Sequence, residues 1–241
     1  MAAPTVVNVG TCVPATTAIT PTLPASLQAD DIMIGIAESV GGEVYPSMPP
    51  SGWAHVLGSP INVDTSTRLT VIWRRFVGGD TALSWGDSGN HNAGQIIGIR
   101  GVKTSGDPWN VAPTTSQETA ANNSAEWPSV TTNIADCLII LAIATGRDLG
   151  TTANLGAVTN GALTSITERM DTWTALGTGG GIGMATGIKA AAGVVGTSTA
   201  TMGSTDSKAL MTIALEPVVA AALPPLAMVT APFDPDTGRV V

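Results

Sequence analysis

Asp31–Ser39 reads DIMIGIAES and Asp136–Thr145 reads DCLIILAIAT, and these two segments decide the fold. Each is an acidic residue leading into an apolar run of strand length, too short to cross a bilayer as a helix. In the first, Ile32, Ile34 and Ile36 alternate with Met33, Gly35 and Ala37, which predicts a strand buried on one face and closely covered on the other. The openers stand 105 residues apart, and each starts a similar series. A shorter polar-alternating strand follows, then a long strand carrying a basic residue, a Thr/Ser-rich hairpin and a closing apolar strand. The closers are Ala93–Val102 and Lys208–Pro217. A spacing far beyond solenoid periods predicts an all-β fold, a β-sandwich or jelly-roll-like body built from two related halves.

Outward from the openers, Thr5–Val9 predicts a first strand, and a Thr/Pro-rich segment to Pro24 is expected to run extended along the surface. Trp53–Leu57 reads as a short strand. Thr67–Val77 reads as the longest in its half, with Leu69, Val71, Trp73 and Arg75 on one face and Thr70, Ile72, Arg74 and Phe76 on the other. Gly78-Gly79-Asp80 predicts a hairpin into Thr81–Trp85. Thr164–Arg169, Gly183–Ala190, Thr197–Thr201 and Ala209–Leu215 are the strands expected in the second half, with Thr178–Gly183 a flexible loop. Lys103–Asn133 reads as the seam, pinned by Trp109 and Trp127. The expected organisation is an N-terminal strand and extended segment at 1–27, a sandwich at 28–216 with half-repeats at about 28–109 and 134–216, and an extended C-terminal arm at 217–241. Five prolines in that arm exclude a helix or a central strand.

Composition agrees with many strands joined by turns: 44% hydrophobic and 12% charged residues, with 28 Gly and 16 Pro. The net charge of −8 and the scattering of ten basic residues argue against a nucleic-acid partner. Cys137, inside CLIILAIA, reads as a small buried hydrophobe, far in sequence from Cys12. Met1–Gly10 lacks the basic flank and apolar stretch of a secretory leader, so synthesis in the cytoplasm without processing and no membrane partner are expected.

No set of residues predicts catalysis, a cofactor or a metal. Gly86-Asp87-Ser88-Gly89 matches the surroundings of a serine-protease nucleophile, but His55 lies only 33 residues before Ser88, too few for the two barrels that hold such a triad. A Gly/Asp/Ser/Asn cluster between strands reads as a turn. His55 and His91 lack paired-ligand spacing, and neither cysteine has a companion at metal-binding distance. Asp234-Pro-Asp236-Thr-Gly238 begins like a calcium loop and lacks its remaining ligands. The run Gly177–Gly183 does not have the spacing of a phosphate-binding loop. Glu38, Glu43, Asp64 and Asp87 are acids that no spacing brings together as a glycosidase pair, and Asp30–Asp31 reads as a solvated turn. Six tryptophans beside one Tyr and two Phe are the unusual count. Trp73 and Trp85 are expected to anchor the first sheet, with Trp53, Trp109, Trp127 and Trp173 covering its ends.

Several landmarks of the first half carry a family resemblance: the acidic-led strand Asp31–Ala37, the turn Pro50-Ser51-Gly52-Trp53, the long strand centred on Trp73-Arg74-Arg75, and Ile99-Arg100-Gly101-Val102 leading to Asp107-Pro108-Trp109. Over roughly Gln28–Trp109 the chain resembles a recurrent module of tailed-bacteriophage virion proteins. The second half departs from it, since no Pro-x-Gly-Trp turn is present and Trp173 has a different context. The resemblance implies a non-enzymatic structural protein of the virion, made in the host cytoplasm, that decorates or cements the capsid. Its implied partners are the major capsid protein, other virion proteins and copies of itself. A tail-associated accessory role, or an adhesin binding host glycans through exposed Trp, is the alternative.

Overall fold

The computed structural model describes residues 1–11, 13–148, 150, 153–219, 233–234 and 239–240. Half a chain's worth of strands forms two main antiparallel sheets, and no helix occurs among the described residues. The first sheet contains β1 (Thr5–Val9), β2 (Ile32–Ser39), β3 (Ala54–His55), β4 (Ile61–Val63), β5 (Thr67–Arg75) and β6 (Ala93–Arg100). Its order is β1-β6-β2-β5-β3, with β4 also on β5. The second half supplies β7 (Thr114–Trp127), β8 (Thr131–Thr132), β9 (Cys137–Thr145), β10 (Thr164–Thr174), β11 (Gly180–Lys189), β12 (Gly193–Val194) and β13 (Ser198–Leu215). The second sheet runs β10-β11-β9-β13-β7, while β8 pairs β12 apart from it. A last pair, β14 (Phe233–Asp234) with β15 (Arg239–Val240), lies in the C-terminal stretch.

Both sheets follow one winding. The opener lies in the middle, the closing strand and the leading strand succeed each other on one side, and strands that follow the opener in sequence, β5 and β3 or β11 and β10, stand on the other. Each sheet is wound from a contiguous part of the chain, so the strand exchange of a jelly roll is not adopted.

The alternation read from the sequence places the core. Ile32, Ile34 and Ile36 of β2, Leu69 and Val71 of β5, and Ile97 and Ile99 of β6 pack against Leu138, Ile140, Ala142 and Ala144 of β9 and Met211, Ile213 and Leu215 of β13. The intervening residues turn outward and are also covered. Met33, Ala37, Ile72 and Ile96 pack under Ile19, Tyr45 and Trp85, which come from loops. On the far side, Ile139, Leu141 and Ile143 pack under Trp127, Leu155, Ala200 and Met202. The N-terminal segment is therefore a cover for the first sheet, tied by the backbone pairing of Ala15 with Asn92.

The cover of the second sheet comes in large part from its own strands, joined by Leu155 and Leu163 of the segment before β10. The C-terminal half of β13 hydrogen-bonds β9 in the sheet, from Lys208 to Leu215. Its N-terminal half, with Ala200 and Met202, packs on the outer face of that same β9. The 18-residue strand must bend between them, and the ladder to β7 shifts register there, between Thr201 and Lys208. Here the sequence reading needs correction: Thr197–Thr201 and Ala209–Leu215 are one strand, and the middle of the expected seam is the 14-residue β7. β7 is largely exposed and so lacks the apolar alternation that marks a half-buried strand. Thr178–Gly183 is not wholly a loop, since β11 begins at Gly180. Thr81–Trp85 forms no strand; the segment instead delivers Trp85 into the outer core of the first sheet, with its N–H on Ile19 O.

Trp127 and Trp173 belong to the outer core of the second sheet rather than to the ends of the first. Trp127 is fully buried, and its Nε1 donates to Ala142 O at 2.9 Å. Trp127→Ala would leave a large cavity under the folded-over ribbon. A loss of roughly 3–5 kcal/mol in urea unfolding is expected, with the unfolding still cooperative.

Candidate functional site

The β2–β6 ladder pairs Ile32 with Ile99 and Glu38 with Ala93, and an acid–base pair closes it at each end. At one end, Asp31 just before β2 meets Arg100 at the end of β6. At the other, Glu38 within β2 meets His91 just before β6.

The Asp31 end is where the terminal segments emerge. Asp31 is buried, and Arg100 bridges both its oxygens, Nε to Oδ1 at 2.9 Å and NH2 to Oδ2 at 2.7 Å. The Gln28 N–H also donates to Asp31 Oδ2, so Asp31 is no solvated turn residue; Asp30 remains exposed beside it. Arg75 reaches Asp30 O and Gly106 O. Arg74, on the opposite face, pairs with Asp80 and leans against Gly52. The Pro50-Ser51-Gly52-Trp53 motif is a turn in which the Trp53 N–H bonds Pro50 O at 2.9 Å. Gly52 takes φ +80° there, a conformation that favours glycine at the third position. Trp73 meets Trp109 edge to face, ring centres 5.4 Å apart. Trp53, Trp73, Arg74, Arg75 and Val77 line an open depression of about 500 Å³.

The N-terminus and the start of the C-terminal stretch join this region. Met1 lies in ion-pair contact with Asp136, and Glu216 accepts from Lys103 and Asn110. Pro217 pairs with Val102, and the Val218 N–H bonds Gly101 O at 2.7 Å. The first residues of the expected arm are thus part of the body, and residues 220–232 lie outside those described.

At the opposite end, Glu38 and His91 are both fully buried, with Nε2 to Oε2 at 2.7 Å. Thr67 Oγ1 donates to Glu38 Oε1, and the Tyr45 hydroxyl to Glu38 O. Asn90 extends the network to the turn between β10 and β11, where the Thr178 N–H bonds its Oδ1. Gly180 makes room for the pair, since a Cβ there would overlap Glu38 Oε2 and His91 Nε2. Burial raises the Glu38 carboxyl from 4.5 to about 7, although the His91 and Thr67 hydrogen bonds oppose it. Burial works against the charged His91 ring, but its hydrogen bond to Glu38 and the charges of Glu38 and Glu43 outweigh it and raise the ring above 6.5.

The other sequence candidates are dispersed. Ser88 Oγ donates to His91 O, and Asn92 accepts from the Ser88 N–H, as turn residues do. His55 sits on edge strand β3, its pKa lowered by burial and by Arg68. Glu43 accepts from the Asn90 N–H, Asp87 caps Gly89, and Asp64 is exposed in the β4–β5 turn. Cys137 is a free, buried thiol pushed up to about 11 by burial and by the charges of Glu216 and Asp136. Cys12 and the 234–238 segment lie wholly or mostly outside the described residues. Among the described residues no three His, Cys, Asp or Glu converge to hold a metal ion. Comparisons with family models, with curated proteins and with solved structures return no match.

The Glu38–His91 pair sets a pH dependence. Glu38 holds its proton from 4.5 up to about 7 in the folded chain, and His91 holds its own above 6.5. A native state that binds more protons than the unfolded chain loses stability as pH rises. The denaturation midpoint should therefore fall between about pH 5 and about pH 8, and Glu38→Gln should flatten most of that fall. A flat or rising profile in the unmutated protein would contradict the arrangement.

Proposed function

We propose that the chain is a non-enzymatic structural protein of a tailed-bacteriophage virion, a decoration or cement protein that docks on the head lattice. The observation that carries this reading is the convergence of the landmark motifs. Asp31, the Gly52 turn, Trp73–Arg75, Arg100–Val102 and Trp109 are dispersed in sequence and gather on one end of the sandwich, beside Met1 and Val218. The surface they share also lies beside the N-terminal residues and the start of the C-terminal stretch, so a partner docked there would meet all of them. The sandwich behind this end is covered on both outer faces, which suits a rigid adhesive body. Its partners on this reading are the major capsid protein, other virion proteins and copies of itself, and a tail position would use the same surface.

One observation favours glycan binding as a second reading. The depression beside Trp53 and Trp73 joins half-buried aromatic rings to two arginines, the combination that stacks on and hydrogen-bonds a sugar.

A chain cut after Val219 keeps the pairing of Pro217 and Val218 and should unfold at an unchanged midpoint while binding virions at least tenfold more weakly. Electron cryomicroscopy of virions carrying the full chain should place it at many symmetric head positions. Absence from the virion would overturn the proposal. Specific oligosaccharide binding that is lost on Trp53→Ala, with no attachment to virions, would favour the second reading.

A further inference from the structure

Lys208 is fully buried, at the corner where β13 bends. Its Nζ lies 2.8 Å from Asn122 O, 2.9 Å from Asp206 O, 2.9 Å from Asn122 Oδ1 and 3.2 Å from Glu118 Oε2. The two backbone oxygens belong to the bulged ladder, and a cation satisfies them where strand partners are missing. That role does not require a carboxamide. Yet Asn122 Oδ1 also accepts the Ser124 N–H at 2.8 Å, while its Nδ2 donates to Ala120 O at 3.1 Å. The amide carbonyl is thus polarised by two donors, its nitrogen is held by a separate acceptor, and a carboxylate stands against the amine.

We propose that Lys208 and Asn122 form an intramolecular isopeptide bond, with Glu118 carrying the proton. Glu118 takes one proton from the Lys208 ammonium, and the freed Nζ lone pair attacks Asn122 Cγ. The C=O electrons move onto Oδ1, where the Ser124 N–H stabilises the developing charge. Glu118 returns its proton to Nδ2, the carbonyl re-forms, and the Cγ–Nδ2 bond breaks. The second proton lost from Nζ leaves on the departing nitrogen. One ammonium and one carboxamide become one secondary amide and one ammonium ion, so no oxidant or co-reactant is needed. Holding the groups in contact replaces a slow bimolecular amide exchange with an intramolecular step.

The bond would tie β7 to β13 across the bend, between positions 86 residues apart. It would lock the two strands of the ribbon to each other at the corner where the ladder is broken, whatever the protein attaches to.

The intact full-length protein should weigh less than its sequence by one ammonia, about 17 Da, and peptide mapping should find the Asn122 and Lys208 peptides joined. Lys208→Arg and Asn122→Ala should restore the full mass. Glu118→Gln should also carry the full mass while near-ultraviolet circular dichroism shows it folded. Asn122→Asp should still join, losing water instead of ammonia. A full sequence mass in the unmutated protein, or an ammonia loss that survives Lys208→Arg, would overturn the proposal.

Discussion

The structure depends on two strands that have no solvent face. Every residue of β2 and of β9 is buried, so each sheet must be covered twice, once by its partner sheet and once from outside. Each fully buried Ile, Leu or Met contributes on the order of 1.5–3 kcal/mol, and the central strands consist largely of such residues. The two halves meet the requirement differently. Around the first sheet, the segment before β2 and the loops after β2 and β5 supply Ile19, Tyr45 and Trp85. Around the second, β7 and β13 run on past the sheet edge and fold back over it with Trp127, Ala200 and Met202. The bend breaks the ladder, and the buried Lys208 at the corner follows from it.

The acidic residues of the β2 segment stand at its two ends for the same reason. A carboxylate within a two-sided strand has no water to turn to, so it is tolerated only with a partner. Asp31 and Glu38 bracket β2, and Arg100 and His91 bracket β6. The two pairs fix the register of the central ladder, because a slip of one residue would part both pairs and leave the buried Asp31, Glu38 and His91 without their partners. They also differ in use. Arg100 is partly exposed beside the terminal segments, whereas Glu38 and His91 are sealed and leave proton uptake as their visible consequence.

Much of this was legible in the sequence, and the exceptions share a cause. Strict alternation in Asp31–Ser39 and Thr67–Val77 assigned the inward and outward faces correctly, since burial on each face was recorded in residue type. β7 escapes the pattern because an exposed strand has no such record, and β13 reads as two because its polar middle is the corner. Gly180 resembled a loop residue; its lack of a side chain instead leaves space for Glu38 and His91, a constraint visible only when β11 lies against β2. The burial of Asp31 and Lys208 depends on partners distant in sequence, which spacing alone could not supply. The tryptophans show both sides: Trp85 was placed in the correct sheet, whereas Trp127 was assigned to the seam although its indole belongs to the second outer core.

Native-state hydrogen exchange tests the double covering most directly. If both outer layers are integral, amides of Ile32–Ser39 and Cys137–Thr145 exchange only through global unfolding, and those of Ala200–Met202 on the folded-over ribbon are protected nearly as strongly. Fast exchange of the ribbon, together with central-strand amides that open without global unfolding, would show that the outer face of the second sheet is not sealed and would contradict the account.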